Sequence, residues 1–266
     1  MAAAAAAAAD DDDGHGAPFR PALLVVDLQE DFCPPTGSLA VPGGRAIAPA
    51  INKLLASPAF ALRVATRDWH PENHISFAAN HAGKQPFVDT VRVVNPLQAA
   101  AQEGEEEEHE AVESRLWPVH CVQNTPGAEL IPELDAAKLD KVVDKGMDPR
   151  VEMYSPFFDP FTPLPAATGG QGRGQGQRRV CDSGLADLLA SHDITHAYVV
   201  GLAADYCVQS AAVDAAKLGY VTYVVEDATR AVDAEAWDRE GKKELQAKGV
   251  GLVGMGDQEV LRVLSS

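Results

Sequence analysis

The run Pro21-Ala-Leu-Leu-Val-Val26 limits the fold of this chain more than any other stretch. It contains no polar side chain, and it stops at Asp27. A strand with one wet face alternates apolar and polar residues. An unbroken apolar run is what a parallel strand shows when helices cover both of its faces. Leu62–Thr66, Leu139–Val143, His196–Val200, Val221–Val225 and Val250–Val253 repeat the theme more weakly. Helical patterns fall between them at about Ala46–Ala56, Ala128–Leu134, Gly184–Ser191, Tyr206–Leu218 and Ala234–Lys248. Ile47, Ile51, Leu54 and Leu55 share a face of the first, and Gly219 is placed to cap the fourth. Strands alternating with helices predict an α/β fold. The expected form is a doubly wound, mainly parallel six-stranded sheet with helices on both faces and right-handed crossovers.

A chain of 266 residues can bury a core of this kind without disulfides. Cys33, Cys121, Cys181 and Cys207 form no CxxC pair, which favours a reducing compartment. No apolar run approaches the roughly 20 residues that span a bilayer. The N-terminal alanine tract has no basic flank and reads as neither a signal nor a transit peptide. These features predict a cytoplasmic protein. Residues 1–19 read as a disordered low-complexity tail. Residues 20–266 read as a single domain with surface insertions near 99–114 and 160–180. The second insertion is rich in Gly, Gln and Arg but lacks the Gly-Lys-Ser/Thr ending of a phosphate loop.

The net charge of −17 is largely local. Asp10–Asp13 supply four charges and the glutamates between Glu103 and Glu113 seven, leaving about −6, ordinary for a soluble domain. An acidic chain of this kind argues against nucleic acid or an anionic membrane as partner. It leaves a small molecule, or a second copy of the chain.

The reactive residues gather where strands end. Asp27 closes the first strand, Asp68 and His70 follow the second, Lys145 follows the third, and Cys207 follows the fourth. In a doubly wound sheet these positions share the carboxyl edge, where ligands bind beside the topological switch point. A cysteine in the first turn of a helix meets unpaired N–H groups and the positive end of the dipole, and both favour thiolate. Asp27 is placed to take its proton, and Lys145 to hold carboxylate and sulfur in register. Asp68 and His70, with a distant His, form a ligand set for Zn²⁺, Mn²⁺ or Fe²⁺. His74 is a further ligand or a neighbour of one.

With those residues in view, the chain resembles the nicotinamidase/pyrazinamidase branch of the isochorismatase-like cysteine hydrolases. The matching blocks are Val25-Val-Asp27-Leu-Gln-Glu-Asp-Phe32, Thr66-Arg-Asp-Trp-His-Pro71, His74-Ile-Ser-Phe77, Trp117-Pro-Val-His-Cys-Val122, Val143-Asp-Lys-Gly146 and Gly201-Leu-Ala-Ala-Asp-Tyr-Cys-Val208. They come in the family's order across roughly residues 21–255. The tail and the two insertions depart from the pattern without interrupting a block.

The resemblance implies a catalytic triad of Asp27, Lys145 and Cys207. It implies one divalent ion, first of all Zn²⁺ with Mn²⁺ or Fe²⁺ as alternatives, held by Asp68, His70 and His120, with His74 a ligand in some members. It implies a cis peptide at Leu202–Ala203, which aims the amides of Ala203 and Cys207 at the substrate carbonyl oxygen as an oxyanion hole. Phe32, Trp117, Tyr154 and Tyr206 are the expected walls around a flat ring. The implied activity is hydrolysis of nicotinamide to nicotinate and ammonia through a thioester, as in NAD salvage. Related family amidases that act on carbamoyl or ureido compounds share the triad but generally lack the Asp-x-His set. A non-catalytic family scaffold would not need the triad. A zinc hydrolase using metal-bound hydroxide would not need Cys207.

Overall fold

The computed structural model describes residues 18–99, 109–162 and 179–265. Most of the expected tail and the centres of both expected insertions lie outside the described residues. Six parallel strands form one sheet: β1 (Pro21–Val26), β2 (Leu62–Asp68), β5 (Lys141–Lys145), β6 (His196–Leu202), β7 (Val221–Arg230) and β8 (Gly251–Val253). Their spatial order is β5-β2-β1-β6-β7-β8. The chain winds outward from β1 to β5, then returns beside β1 and winds the other way through β8. The switch point lies between β1 and β6, as expected for a doubly wound sheet.

The apolar run of β1 is buried along its whole length. Leu23 and Val25 face a core with Ile51, Leu54 and Leu55 of the helix Ala48–Leu55 and Val260 and Val263 of the helix Gln258–Leu264. Ala22, Leu24 and Val26 face the opposite core, with Leu185 and Leu189 of the helix Leu185–Ser191 and Ala211, Ala212 and Ala215 of the helix Gln209–Lys217. Two cores on one strand explain the missing alternation. Truncating Leu23 or Leu24 to Ala would cost about 2–5 kcal/mol on either side.

Three local expectations are corrected. Ala128–Leu134 is not a helix: a single tight turn covers Pro126–Ala128, and Leu130 then bridges to Gln29. Pro132 lacks the N–H that a helix there would need. The stretch Ala111–Ser114, expected within an insertion, belongs to strand β4 (Ala111–Arg115), which pairs antiparallel with β3 (Thr90–Val94). The third strand of the expected series runs Lys141–Lys145 rather than Leu139–Val143, so Lys145 closes it rather than following it.

All four cysteines are free. Among the described residues, no helix is long and apolar enough to cross a membrane.

Candidate active site

Strand register alone brings two opposite charges together. Asp68 is the last residue of β2 and Lys145 the last of β5, and the parallel ladder pairs them directly. Asp27 is the first residue past β1. Its backbone turns off the strand in the left-handed region, φ +47°, which Asp tolerates better than most side chains. Its Oδ1 accepts from Thr66 Oγ1 at 2.6 Å. The Lys145 Nζ lies 2.5 Å from Asp68 Oδ1, 3.0 Å from Asp27 Oδ2, 3.0 Å from the Met153 carbonyl and 3.5 Å from Cys207 Sγ. The three residues expected as a triad are therefore brought together, but the closest partner of Lys145 is Asp68 rather than Asp27.

Cys207 reaches this point from the other side of the switch. It lies in a wide helical turn, Ala204–Val208, that connects β6 to the helix Gln209–Lys217. The Leu202–Ala203 peptide is cis. The N–H groups of Tyr206 and Val208 both donate to the Ala203 carbonyl at 3.1 Å. Ala203 and Cys207 line the same pocket.

Burial opposes charge on every member of this group. It pushes the Asp27 carboxyl up, and Lys145 offsets only part of that. Burial acts the same way on Asp68, but Lys145 and then His70 overcome it and hold this carboxyl far below the usual carboxylate range. Burial would also lower Lys145, yet Asp27 and Asp68 keep its ammonium well above its ordinary value. Burial drives the Cys207 thiol well up, against the pull of Lys145. Burial therefore outweighs the pull of the helix start, and the sulfur needs a base, the role the sequence reading gives to Asp27. A carboxylate oxygen of Asp27, one of Asp68 and the sulfur lie within 4.8 Å of one another. Asp27 Oδ2 is buried, and among the described residues no hydrogen bond occupies it. It lies 3.0 Å from the Lys145 ammonium, and Asp27 is also a side-chain hydrogen-bonding neighbour of the Cys207 thiol.

Beside the triad sits a second donor group. One atom each from Asp68, His70 and His120 fall within 4.8 Å of one another, all buried. The ring orientations are fixed from behind. His70 Nδ1 is 2.8 Å from the Gly146 carbonyl and His120 Nδ1 is 2.7 Å from the Pro118 carbonyl. A carbonyl only accepts, so each neutral ring carries its proton on Nδ1 and presents a bare Nε2. Gly146 permits the first contact. It holds φ +66°, and a Cβ there would stand 2.4 Å from His70 Cε1. Among the described residues, His70 Nε2 is buried without a hydrogen-bond partner, and it lies 3.6 Å from Asp68 Oδ2. An orphaned buried acceptor is costly unless something fills it. One carboxylate and two imidazoles suit a divalent ion of the zinc, manganese or iron class. Burial would lower His70, but the Asp68 charge raises it, so a proton and a cation compete for one lone pair. Burial, then the charge on His70, holds His120 down to about 4.

His74 does not join this donor group. Its Nδ1 meets Ser76 Oγ at 2.8 Å and its Nε2 meets the Val151 carbonyl at 3.2 Å, so both nitrogens are engaged. The ring stacks on His70 at 4.0 Å and acts as its back wall.

The pocket above these groups is lined by the four aromatics expected from the sequence, Phe32, Trp117, Tyr154 and Tyr206, with Leu39, Val41 and Val232. Its polar side carries Asp68, His120, Glu152, Ala203 and Cys207. Trp117 and Tyr206 meet edge to face at 4.9 Å, and Trp117 Nε1 donates to Tyr154 Oη at 2.9 Å. With the indole N–H satisfied, the walls suit a flat aromatic ligand. Sequence reasoning missed Glu152, a 5 % exposed carboxyl that burial pushes up. Its signal was a lone acid inside the apolar stretch Val151-Glu-Met-Tyr154.

Comparison with known proteins gives a consistent answer. The model of the isochorismatase domain matches residues 21–160 and 178–255. The nicotinamidase of Acinetobacter baylyi is 38% identical over 229 residues, 86% of this chain and 90% of that protein. The structure of the yeast nicotinamidase bound to the inhibitor nicotinaldehyde superposes with a TM-score of 0.74 at 34% identity, covering 88% of this chain and 99% of that one. The pyrazinamidase of Pyrococcus horikoshii in complex with zinc gives a TM-score of 0.60 at 32% identity over 88% of this chain and 99% of that one.

Proposed function

This chain belongs to the isochorismatase-domain family, and we propose that it hydrolyses nicotinamide to nicotinate and ammonia through a thioester on Cys207. That it is an amide hydrolase follows from relatives of known activity that match most of its length. The observation that carries the mechanism is the Lys145 ammonium within contact of the Cys207 sulfur and two carboxylates at once.

Nicotinamide enters flat between the aromatic walls, with its carboxamide over Cys207. Asp27 Oδ2 takes the thiol proton as the sulfur attacks the amide carbon. Lys145 offsets part of the cost of the Asp27 carboxylate beforehand and neutralises the thiolate as it forms. The amides of Ala203 and Cys207 receive the negative charge that develops on the carbonyl oxygen. Asp27, now protonated, delivers its proton to the nitrogen; the C–N bond breaks and ammonia leaves. Asp27 then takes a proton from water as that water adds to the thioester carbon. The C–S bond breaks, nicotinate is released, and the proton returns to sulfur.

Asp68, His70 and His120 would hold one divalent ion, with zinc the first expectation, and the ion would supply a Lewis-acidic anchor for the pyridine nitrogen. His74 and the Gly146 and Pro118 carbonyls keep the two imidazoles aimed. The test is ammonia release from nicotinamide by purified protein, before and after verified removal of divalent metal. Release that stops on removal and returns with added ion is the expected result. No release from nicotinamide by metal-replete protein overturns the assignment.

A further inference from the structure

We infer that Gln29, with Asp31 beside it, is a positioning residue for the metal donors, holding all three ligand segments from the turn that follows the catalytic Asp27. This rests on the reading of Asp68, His70 and His120 as those donors.

Gln29 is fully buried and uncharged. Burying a primary amide is costly unless its donors and acceptor are matched. Here its Oε1 accepts from the Asp68 N–H at 2.8 Å, and its Nε2 donates to the Asp68 carbonyl at 2.8 Å and to the Ala128 carbonyl at 2.8 Å. A side-chain amide offers an acceptor and a donor side by side, as a peptide group does. Gln29 thus takes the place that β1 vacates when the chain turns off at Asp27. The N–H and carbonyl of Asp68 are thus both held by Gln29, while β5 holds the next residue through the bond from the Trp69 N–H to the Lys145 carbonyl at 2.9 Å. The grip has a purpose, because Lys145 draws one oxygen of Asp68 to 2.5 Å while the other must remain with His70.

Asp31 holds the remaining segments. Its Oδ2 accepts from the Cys121 N–H at 2.7 Å. Cys121 follows His120 directly, and its carbonyl accepts from the His70 N–H at 3.0 Å. One carboxylate therefore holds Cys121, the residue that links the two imidazole donors through its N–H side and its carbonyl. Gly127 leaves room for it: a Cβ there would lie 2.1 Å from Asp31 Oδ2.

The test is zinc affinity, measured by competition with a chromophoric chelator. Loss of an outer partner of a metal ligand typically weakens binding about 10–100-fold, and that is the expected fall for Gln29→Leu. Asp31→Ala should lose affinity in the same range, and Asp31→Asn, which keeps an oxygen for the Cys121 N–H, should recover most of it. A merely structural role would lower thermal stability while leaving the zinc affinity of the folded protein unchanged. Wild-type protein that takes up no zinc would remove the donor assignment itself. Wild-type protein that binds one zinc, with Gln29→Leu and Asp31→Ala binding equally tightly, would overturn the positioning role alone. Should Gln29→Leu fail to fold, the Asp31 pair decides: recovery in Asn over Ala supports the role, and equal affinity in both overturns it.

Discussion

Lys145 and Asp68 end neighbouring parallel strands in direct register, and their head groups meet at 2.5 Å with both side chains buried. Through this contact Asp68 belongs to two sites. One oxygen serves the ammonium of the triad and the other faces the imidazoles. The Cys207–Lys145–Asp27 cluster and the Asp68–His70–His120 cluster are therefore one electrostatic unit.

The first consequence concerns Lys145→Met. Removing the ammonium leaves Asp27 and Asp68 as buried carboxylates without their compensating charge. Breaking a buried pair in this way typically costs about 3–5 kcal/mol, and the variant should lose that much stability at neutral pH along with its turnover. Urea denaturation and an ammonia assay check both parts. Unchanged stability would mean that the three charges are not coupled as described.

Cys207→Ala should behave in the opposite way. It deletes a neutral thiol rather than a charge, so the fold should survive while turnover falls by at least about 10³-fold. Circular dichroism and steady-state assay suffice. Residual activity within tenfold of wild type would exclude the covalent route.

Acid should reveal His74. Burial, with His70 and His120 alongside, holds its folded value down to about 2, against 6.5 ordinarily. The unfolded chain then binds a proton below pH 6.5 that the folded protein refuses. The stability contributed is present above 6.5 and is lost as the pH falls toward the folded value. Between pH 7 and 5 this one residue should account for roughly 2 kcal/mol of lost stability. His120 acts in the same sense and His70 in the opposite one. Comparing wild type with His74→Asn in metal-free buffer isolates the His74 part: the variant should show the shallower acid slope. Equal slopes would show that His74 is protonated in the fold.

The aromatic wall gives a binding prediction. Trp117 packs edge to face on Tyr206 and donates to Tyr154 Oη. An aromatic pair adds about 0.5–1.5 kcal/mol beyond its buried area, so Trp117→Leu should raise KM by roughly 2- to 10-fold or more, with a smaller effect on kcat. A fall confined to kcat would place Trp117 in the chemistry rather than in the wall.

Much of this site could be read from the sequence, because a parallel sheet converts strand ends into neighbours. Asp27, Asp68, Lys145 and Cys207 each follow or close a β-branched run, and the doubly wound order brings those runs to one edge. What escaped was tertiary in origin. The bond from Gln29 to Asp68 depends on the chain leaving β1 at Asp27, and no local pattern marks that turn. The upward shift of the Cys207 thiol comes from its burial, which no local pattern at the helix start reports. His74 carries the same residue type as His70 and His120, and only its bonds to Ser76 and Val151 set it apart from their cluster. The Ala128–Leu134 stretch contains apolar residues at helical spacing, but Gly127 precedes it, Pro132 interrupts it and Leu130 is drawn to Gln29 instead.

The most direct measurement is rapid acid quenching of the enzyme during turnover of nicotinamide, followed by mass spectrometry of the peptide that contains Cys207. A nicotinoyl group attached to that sulfur, appearing during turnover and absent once substrate is exhausted, is the expected result. Steady turnover with Cys207 unmodified at every quench time, in an enzyme whose Cys207→Ala variant still releases ammonia, would contradict it.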